Sequence, residues 1–391
     1  MLPRFPHDAV PAGPFLLRPA TEDDVDAIAR ACADPEIARF IPAIPVPYTA
    51  GDARDYVTEI APELWRTGGA ALAVTDPAAG GAWLGNFSLK PPDVRGNTEI
   101  GYLVAPWARR RGVATVAARA LTEWAFQHGA HRVELLADLS NTPSQRVAMA
   151  AGYRREGVQR GAMPRRDGGR DDLVMFARLA TDPGTPQRSY LPDLPGGALS
   201  DGVVRLEPIT PDDADAYQAM MSEPDVLARS VPPQAPDPEE TLYRSHCTGT
   251  WWLAGERAEL GVRDAATGEF AGHIQLMQVN PLLGQAMIGY SLAGRFRGRG
   301  FMTRAVNLLC EWAFTHTSLH RIVAGTAPDN IPSHRVLRRA GFEQEALFKE
   351  LLQQLDGTRH DDLQWVRMRE VAPTSSPGAL TGHRPRVPGD R

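Results

Sequence analysis

The stretch IGYLVAPWARRRGVATVAARALTEWAFQH, which begins at Ile100, returns later as IGYSLAGRFRGRGFMTRAVNLLCEWAFTH, which begins at Ile288. The two copies align without a gap at an offset of 188 residues. A second repeated stretch follows each copy, as HRVELLADLSNTPSQRVAMAAGY from His131 and as HRIVAGTAPDNIPSHRVLRRAGF from His320. Solenoid repeats are only about 20 to 50 residues long, so a repeat at this distance is a whole domain. The sequence therefore predicts an internal duplication.

The domain organisation follows from this duplication and from the chain length. A chain of 391 residues has room for two or three domains of about 150 residues, and the duplication selects two. We predict the first domain over 13–180 and the second over 202–371. The segment 181–201 is dense in Pro, Gly and small polar residues, which predicts a linker that buries little apolar surface. The segment 372–391 has no periodicity and is predicted to be a disordered tail.

Composition excludes several classes of protein. The net charge of −5 and the pI near 6.1 argue against a surface devoted to nucleic acid. Cys32, Cys247 and Cys310 have neither metal-site nor disulfide-framework spacing, which predicts a reduced, cytoplasmic compartment and no metal. No window approaches the 18 or so apolar residues of a membrane span, so no membrane partner is expected.

The repeated module has the order strand, basic glycine-containing loop, helix, strand, helix. Apolar residues recur at helical spacing after each loop, and a strand–helix–strand order predicts a parallel strand pair with a crossover helix. Further short strands precede and follow the module in each half. Helix starts are predicted at Thr21-x-x-Asp24 and Thr210-x-x-Asp213, where a capping residue precedes an acidic first turn.

The basic loop is the first candidate binding site. Flexible residues there let a ligand approach the backbone, and the free N–H groups of the helix start favour an anion such as a diphosphate. A solvated basic turn is the alternative for a single loop, but two copies in one context favour the anion site. The candidate loop residues are Arg109, Arg110, Arg111, Gly112, Val113 and Ala114 in the first copy, and Arg297, Gly298, Arg299, Gly300, Phe301 and Met302 in the second.

The second candidate segment is Asn-x-x-Ser at the start of the following helix. It comprises Asn141 and Ser144 in the first copy, and Asn330 and Ser333 in the second. Residues three apart share a helix face, so both side chains can reach a ligand. The alternative is plain helix capping by Asn, which the spacing alone favours.

Together, in this order and spacing, the segments resemble the Gcn5-related N-acetyltransferases, the GNAT superfamily, and most closely the branch of ribosomal-protein N-terminal acetyltransferases. The matching motifs are Arg-x-x-Gly-x-Ala (Met in the second copy), the preceding IGY strand and the following Asn-x-x-Ser helix. The resemblance implies two tandem domains of mixed α/β class. Each domain would be a mixed, mostly antiparallel sheet with one splayed parallel strand pair, flanked by helices.

The resemblance also implies acetyl-CoA as cosubstrate, without a metal. The diphosphate would lie on the loop amides of each domain. The pantetheine arm would lie between the splayed strands, with sheet-like hydrogen bonds to residues around Leu103 and Val104, or Ser291 and Leu292. An amine would attack the thioester directly, so the protein needs only a base for the ammonium and an acid for the thiolate.

The two halves differ at the residues that the resemblance assigns to this proton transfer. Glu99 occupies the position of the family's glutamate base, whereas the second half has Met287 there. A solvated strand-end carboxylate is the alternative for Glu99. The acid in this branch is the helix-start serine, here Ser144 and Ser333. The tyrosines of the two IGY strands are expected to pack rather than to catalyse.

We therefore expect an acetyl-CoA-dependent N-acetyltransferase with a dominant first half. The acceptor is either a protein N-terminus or a small amine. The alternative is an acyl-CoA-binding sensor or scaffold in which one or both domains are catalytically silent, and the missing base of the second half is compatible with it.

Overall fold

The computed structural model describes residues 4–370. The first half consists of one eight-stranded sheet and the helices that flank it. Its helices are α1 Val25–Cys32, α2 Pro35–Phe40, α3 Ala50–Asp55, α4 Ala61–Arg66, α5 Val113–Gln127 and α6 Thr142–Ala150. Its strands are β1 Val10–Ala12, β2 Phe15–Arg18, β3 Ala70–Asp76, β4 Ala82–Leu89, β5 Asn97–Val104, β6 Arg132–Asp138, β7 Arg154–Pro164 and β8 Arg170–Leu179.

The second half repeats these elements, with one long helix, α9, in place of α3 and α4. Its helices are α7 Ala214–Met221, α8 Pro224–Leu227, α9 Pro238–Ala254, α10 Phe301–His316 and α11 Ile331–Arg339. Its strands are β9 Leu199–Ser200, β10 Val204–Pro208, β11 Ala258–Asp264, β12 Phe270–Asn280, β13 Gln285–Leu292, β14 Arg321–Thr326, β15 Glu343–Gln353 and β16 Arg359–Met368.

The two sheets have the same topology. The strand order is β1-β2-β3-β4-β5-β6-β8-β7 in the first sheet and β9-β10-β11-β12-β13-β14-β16-β15 in the second. Neighbouring strands are antiparallel except for β5 with β6 and β13 with β14, which are parallel. Helix α5 or α10 connects each parallel pair. The predicted duplication and the mixed, mostly antiparallel sheet are confirmed.

Each parallel pair separates after a short stretch of pairing. β5 and β6 pair from Asn97 with Arg132 to Glu99 with Glu134, and both strands then continue without pairing to each other. β13 and β14 likewise pair only from Gln285 with Arg321 to Met287 with Val323. The backbone edge of β5 or β13 beyond this point is therefore open toward the neighbouring strand, and the expected splayed pair is confirmed in both domains.

Local sequence explains where the elements begin. The Thr21 amide donates to Asp24 Oδ2 over 2.9 Å, and the Thr210 amide donates to Asp213 Oδ2 over 3.0 Å, as expected for the predicted helix starts. The predicted apolar stripe of α5 faces the core, because Leu121 is fully buried and Trp124 is only 8% exposed. The crossover helix is thereby fixed across the sheet, with its first turn at the splayed strands.

The segment between the two halves differs from its expected character. Leu191 and Leu194 are buried in the core of the second half, and Trp252 Nε1 donates to the Leu191 carbonyl over 3.1 Å. The expectation that 181–201 buries little apolar surface is therefore wrong for these leucines. Composition failed here because two apolar residues suffice to anchor a chain that is otherwise rich in Pro and Gly. Strand β9 also begins inside this segment, and β1 begins before residue 13.

Three further expectations concern the chain as a whole. Cys32, Cys247 and Cys310 are buried and free, and burial raises the pKa of Cys310 to about 12, which favours the expected core role over a nucleophilic one. Between residues 4 and 370, no helix is both long and apolar enough to cross a membrane. The predicted tail, 372–391, lies outside the described residues.

Candidate active site

The basic loop of each domain has two backbone positions with positive φ just before a helix. These are Arg110 with φ 61° and Gly112 with φ 76° in the first domain, and Gly298 with φ 75° and Gly300 with φ 79° in the second. Helix α5 or α10 begins at the next residue. The first N–H groups of a helix have no intrahelical partner, and such turns make anion-binding concavities. The sequence did not predict that Arg110 adopts a left-handed conformation.

The loop arginines on either side of this position are paired with carboxylates. Arg109 lies 2.6 Å from Asp34, and Arg111 lies 2.9 Å from Asp76. The second domain repeats both ion pairs, between Arg297 and Asp225 at 2.8 Å and between Arg299 and Asp264 at 3.1 Å. These ion pairs hold the loop in shape and offset part of its charge. The anion-binding capacity of the loop therefore comes mainly from its backbone.

A cavity of about 960 Å³ occupies the first domain between the splayed strands. It brings together the predicted loop, strand and helix-start residues. Its walls include Glu99, Leu103, Val104, Arg109, Arg110, Gly112, Val113, Ala114, Asn141 and Ser144. Segments that are far apart in the sequence thus meet in one space, which is large enough for a sizeable ligand.

Glu99 lies on the cavity wall at the last paired residue of β5, and its side chain is 23% exposed. It forms an ion pair with Lys90, with 2.8 Å between the Lys90 Nζ and the carboxylate. The carboxylate is therefore neither fully solvated nor buried. The ion pair holds it at the point where the two strands separate.

Ser144 also lines the cavity, in the first turn of α6. Asn141 Oδ1 accepts a hydrogen bond from the Ser144 amide over 3.1 Å, so Asn141 caps the start of α6. Asn330 caps Ser333 in the same way over 3.3 Å. Each asparagine Oδ1 thus accepts one hydrogen bond within the protein, and the side-chain NH₂ group is the donor that each asparagine could offer to a ligand.

The serine hydroxyl is hydrogen-bonded to the tyrosine of the IGY strand in both domains. Tyr102 Oη lies 2.8 Å from Ser144 Oγ, and Tyr290 Oη lies 2.7 Å from Ser333 Oγ. Burial raises the pKa of Tyr102, and it raises that of Tyr290 to about 12. The Tyr102 ring also stacks on Phe87, with centroids 5.1 Å apart. Packing was therefore predicted correctly, but the hydroxyl pair was missed, although the tyrosine repeats in both copies.

Two carboxylates that the sequence analysis did not select also line the cavity. Asp138 ends β6, and Asp171 lies on β8, which pairs with β6. Burial and the nearby charge of Asp138 raise the pKa of Asp171. These residues lie in strands that meet only through sheet pairing, so motif spacing gave no signal for them.

The second domain differs at the positions that correspond to the Lys90–Glu99 ion pair. Sheet register aligns Lys90 with Met277 and Glu99 with Met287, because Leu89 pairs with Ile100 as Leu276 pairs with Ile288. Met277 and Met287 are themselves paired across β12 and β13. Two apolar side chains thus replace the cation and the carboxylate.

A buried ionic network lies on the same side of the second sheet. Glu259 accepts from Arg244 over 2.9 Å and from Arg257 over 2.8 Å, and its other oxygen lies 2.9 Å from His273 Nε2. Tyr217 contacts the His273 ring edge-on, at 5.2 Å. By register, Glu259 and His273 correspond to Ala71 and Asn86, of which Asn86 lines the first-domain cavity. The two domains therefore present different chemistry at this side of the sheet.

Comparison with known proteins gives a consistent family assignment. Residues 15–154 and 204–343 each match the family model described as an acetyltransferase (GNAT) domain. A probable N-acetyltransferase, YjcK of Bacillus subtilis, is 38% identical over 96 residues, which cover 24% of this chain and 53% of the relative. The ribosomal protein uS5-alanine N-acetyltransferase of Escherichia coli is 28% identical over 135 residues, covering 32% and 69%. The chain spans about half the length of the first of these curated relatives.

Solved structures are similar to single domains of the chain. The ribosomal-protein-S5-alanine acetyltransferase of Vibrio fischeri has a TM-score of 0.41 at 22% identity and covers 44% of this chain and 97% of its own. RimJ of Mycobacterium smegmatis, solved with a CoA disulfide, has a TM-score of 0.39 at 30% identity and covers 46% and 88%.

Proposed function

This chain belongs to the GNAT acetyltransferase family, and from that premise we propose that its first domain transfers the acetyl group of acetyl-CoA to an amine. The family's enzymes are acyltransferases, and acetyl-CoA is their donor. The observation that carries the proposal is one cavity that Glu99, Ser144 and residues of the basic loop all line.

The first domain has the features that a CoA thioester requires. The loop amides from Arg110 to Ala114 would hold the diphosphate. The unpaired edge of β5 around Leu103 would hydrogen-bond the pantetheine arm, since β6 has separated from it. The same loop and the same open edge recur in the second domain, at Gly298 and around Ser291. We propose that both domains bind acetyl-CoA.

The chemistry needs one base and one acid. Bound acetyl-CoA supplies a thioester carbonyl that a neutral amine attacks. Glu99 would take the proton that the acceptor ammonium must lose, and the ion pair with Lys90 would hold that carboxylate in place. Ser144 would give a proton to the departing sulfur, and the Tyr102 hydroxyl would replace it through their shared hydrogen bond. The nitrogen loses two protons in each turnover. The first would pass to Glu99 and from there to solvent, and the second, released when the amide forms, would replace the proton that the Ser144–Tyr102 hydroxyl pair gave to sulfur.

The acceptor is proposed to be a cationic amine. Asp138 and Asp171 line the cavity together with Glu99, and their mutual repulsion is relieved when an ammonium enters. Relatives include an enzyme named for a ribosomal protein and one named spermidine N(1)-acetyltransferase, 27% identical over 78 residues. A protein N-terminus and a polyamine therefore both remain candidates.

A second candidate function applies to the second domain. The pair Met277 and Met287 supports binding of acyl-CoA without transfer, because a methionine cannot take a proton. We propose that this domain senses the donor or stabilises the first domain.

The experiment combines binding and turnover in two matched variants. Calorimetry with CoA is expected to give two sites per chain. Gly112→Glu should remove one site together with acetyl transfer to a panel of spermidine and peptides of varied N-terminal residue. Gly300→Glu, at the equivalent position, should remove the other site and retain transfer. If transfer were lost only in Gly300→Glu, the chemistry would belong to the second domain. If neither the wild type nor either variant transferred acetyl groups, the chain would be an acyl-CoA-binding sensor instead.

A further inference from the structure

Helix α9 of the second domain packs against the first domain. Tyr243, Cys247 and Thr250 lie at positions i, i+4 and i+7 and therefore share one helix face. Cys247 is 2% exposed and is part of the first domain's hydrophobic core. Gly249 faces Thr142 so closely that an added Cβ would lie 2.3 Å from Thr142 Cγ2. The contact is thus close-packed around the first turn of α6.

Thr250 joins the two domains through a buried polar contact. Thr250 is only 1% exposed. Its hydroxyl oxygen lies 2.8 Å from Gln145 Oε1 and 2.9 Å from the Leu139 carbonyl oxygen. Gln145 is fully buried, and its Nε2 donates to the carbonyls of Asp138 and Leu139, each over 3.0 Å. The turn between β6 and α6 is therefore held by Gln145, and Gln145 is held by Thr250.

This turn carries cavity residues of the first domain. Asp138 precedes it, Asn141 caps the helix that follows, and Ser144 is adjacent to Gln145 in the chain. A shift of Gln145 would move Ser144 relative to Tyr102, and a small misplacement of a reacting group is costly in rate.

A second contact of α9 is made to the hairpin of β7 and β8. Tyr243 donates to Asp172 Oδ2 over 2.8 Å, and Asp172 Oδ1 accepts from the Gly161 amide over 2.7 Å. The neighbours of Asp172 in β8, Asp171 and Leu173, both line the cavity. The one helix thus fixes the β7–β8 hairpin as well as the β6–α6 turn.

The duplication shows that both domains secure this turn from within, and that the first domain adds a contact from the other domain. Gln145 corresponds to His334, which is 4% exposed and whose Nε2 lies 3.1 Å from the Ala327 carbonyl. This histidine secures the equivalent turn within its own domain. In the first domain the amide oxygen of Gln145 takes its hydrogen bond from Thr250, on the other domain.

We propose that α9 of the second domain is a positioning element of the first domain's active site, acting through Thr250 on Gln145. The inference rests on the proposed function of the first domain. It assigns the second domain a task that needs no acetyl transfer of its own: to hold the helix that bears Ser144 in register with Tyr102.

The test compares two threonines of the same helix. Thr250→Val keeps the shape and removes the hydroxyl, which leaves a buried acceptor unpaired. We expect kcat on the spermidine and peptide panel to fall about tenfold, with the KM for acetyl-CoA unchanged because the anion loop is untouched. Thr250→Ser should restore kcat. The control is Thr248→Val, since that hydroxyl bonds to the Ile209 and Ser245 carbonyls within the second domain.

Two further measurements keep the test decisive. Amide hydrogen exchange over residues 139–150 should accelerate in Thr250→Val but not in Thr248→Val, whichever acceptor is turned over. Tyr243→Phe, at a half-exposed residue, provides a second variant that is expected to fold. Equal kcat and equal exchange in the two valine variants would overturn the inference. A Glu99→Gln variant that keeps full turnover would instead overturn the proposed function, and the exchange result would still report on Thr250.

Discussion

The two domains agree at the loop and helix start that we propose to bind the donor, and they differ at the neighbouring strand positions that we propose to face the acceptor. Both have two left-handed positions before the crossover helix, flanking ion pairs and a hydroxyl pair between strand tyrosine and helix serine. At the strand position beside the expected thioester, the first domain has Lys90 with Glu99, and the second has Met277 with Met287. The features that we propose to bind the donor are therefore duplicated, whereas a carboxylate is present at this strand position in one copy only.

The difference extends to how each domain is supported. The second domain contains the buried Arg244–Glu259–His273 network, and its turn before α11 is secured by its own His334. The first domain has an open cavity and takes part of its support from α9. A cleft that must admit a substrate cannot be filled by its own side chains, and a neighbouring domain can supply the missing rigidity.

Replacing the Lys90–Glu99 pair by the methionines of the second domain is expected to have the largest effect on kcat. The double substitution Lys90→Met with Glu99→Met gives the first domain the residues of the second and removes the proposed base. A positioned general base contributes about 10² to 10⁴ in rate, so kcat should fall by that range while CoA binding remains. Steady-state kinetics and calorimetry on the same sample would measure both.

The reciprocal exchange is the control. Met277→Lys with Met287→Glu should leave kcat of the whole chain within about twofold, because the remainder of the second-domain wall still differs. A full loss of activity on this second exchange, with little effect of the first, would reverse the assignment of the two domains.

The serines should show the next largest difference. Ser144→Ala removes the proposed proton donor to sulfur and should lower kcat about 10²-fold, whereas Ser333→Ala should leave it unchanged. Both serines are capped by asparagine through the backbone, so neither substitution breaks the helix start. Similar losses in both variants would mean that both domains transfer acetyl groups.

The tyrosines should give a smaller effect of the same sign. Tyr102→Phe keeps the stacking on Phe87 and removes only the hydroxyl that bonds to Ser144. A hydrogen bond of this kind is worth about 1 kcal/mol, so a loss of about fivefold in kcat is expected, and Tyr290→Phe should have none. If Tyr102→Phe were as damaging as Ser144→Ala, the tyrosine itself would be the acid.

The sequence predicted most of the fold because the motifs that specify the strands and helices are short, continuous segments and each occurs twice. The motif from Ile100 contains the strand, the loop and the start of the crossover helix, and its second copy removed most alternatives. The splayed strands and the acetyl-CoA donor followed from the family resemblance carried by the same residues. Roles for Glu99 and Ser144 remain predictions, although the structure brings both side chains to one cavity.

The remaining features depend on distant partners and gave no local signal. Lys90 is nine residues before Glu99, and only the β4–β5 pairing brings them together. Asp171 reaches the cavity through the pairing of β8 with β6. Thr250 contacts Gln145 across 105 residues, from a helix of the other domain. The leucines of the linker were missed because average composition conceals two anchoring side chains.

The last prediction concerns the stability of the second domain and has the smallest expected effect on turnover. Burial alone would raise the pKa of Glu259, but the hydrogen bond and charge of His273, together with Arg244 and Arg257, outweigh burial and lower it to about 2. A carboxyl whose folded pKa is lowered stabilises the fold fully above its unfolded value, near 4.5, and loses that contribution as the pH falls toward 2.

Thermal unfolding between pH 7 and pH 3 should therefore separate Glu259 from an exposed carboxylate of the same domain. Glu259→Gln leaves Arg244 and Arg257, whose side chains are 33% and 31% exposed, without their carboxylate partner, and it should lower Tm at pH 7 by roughly 5 to 15 °C, with a shallower fall below pH 4.5 than the wild type. The control Glu269→Gln breaks an exposed pair with Arg295 and should shift Tm by about 1 °C or less. A Glu259→Gln variant as stable as the control at pH 7 would mean that the network contributes little to stability.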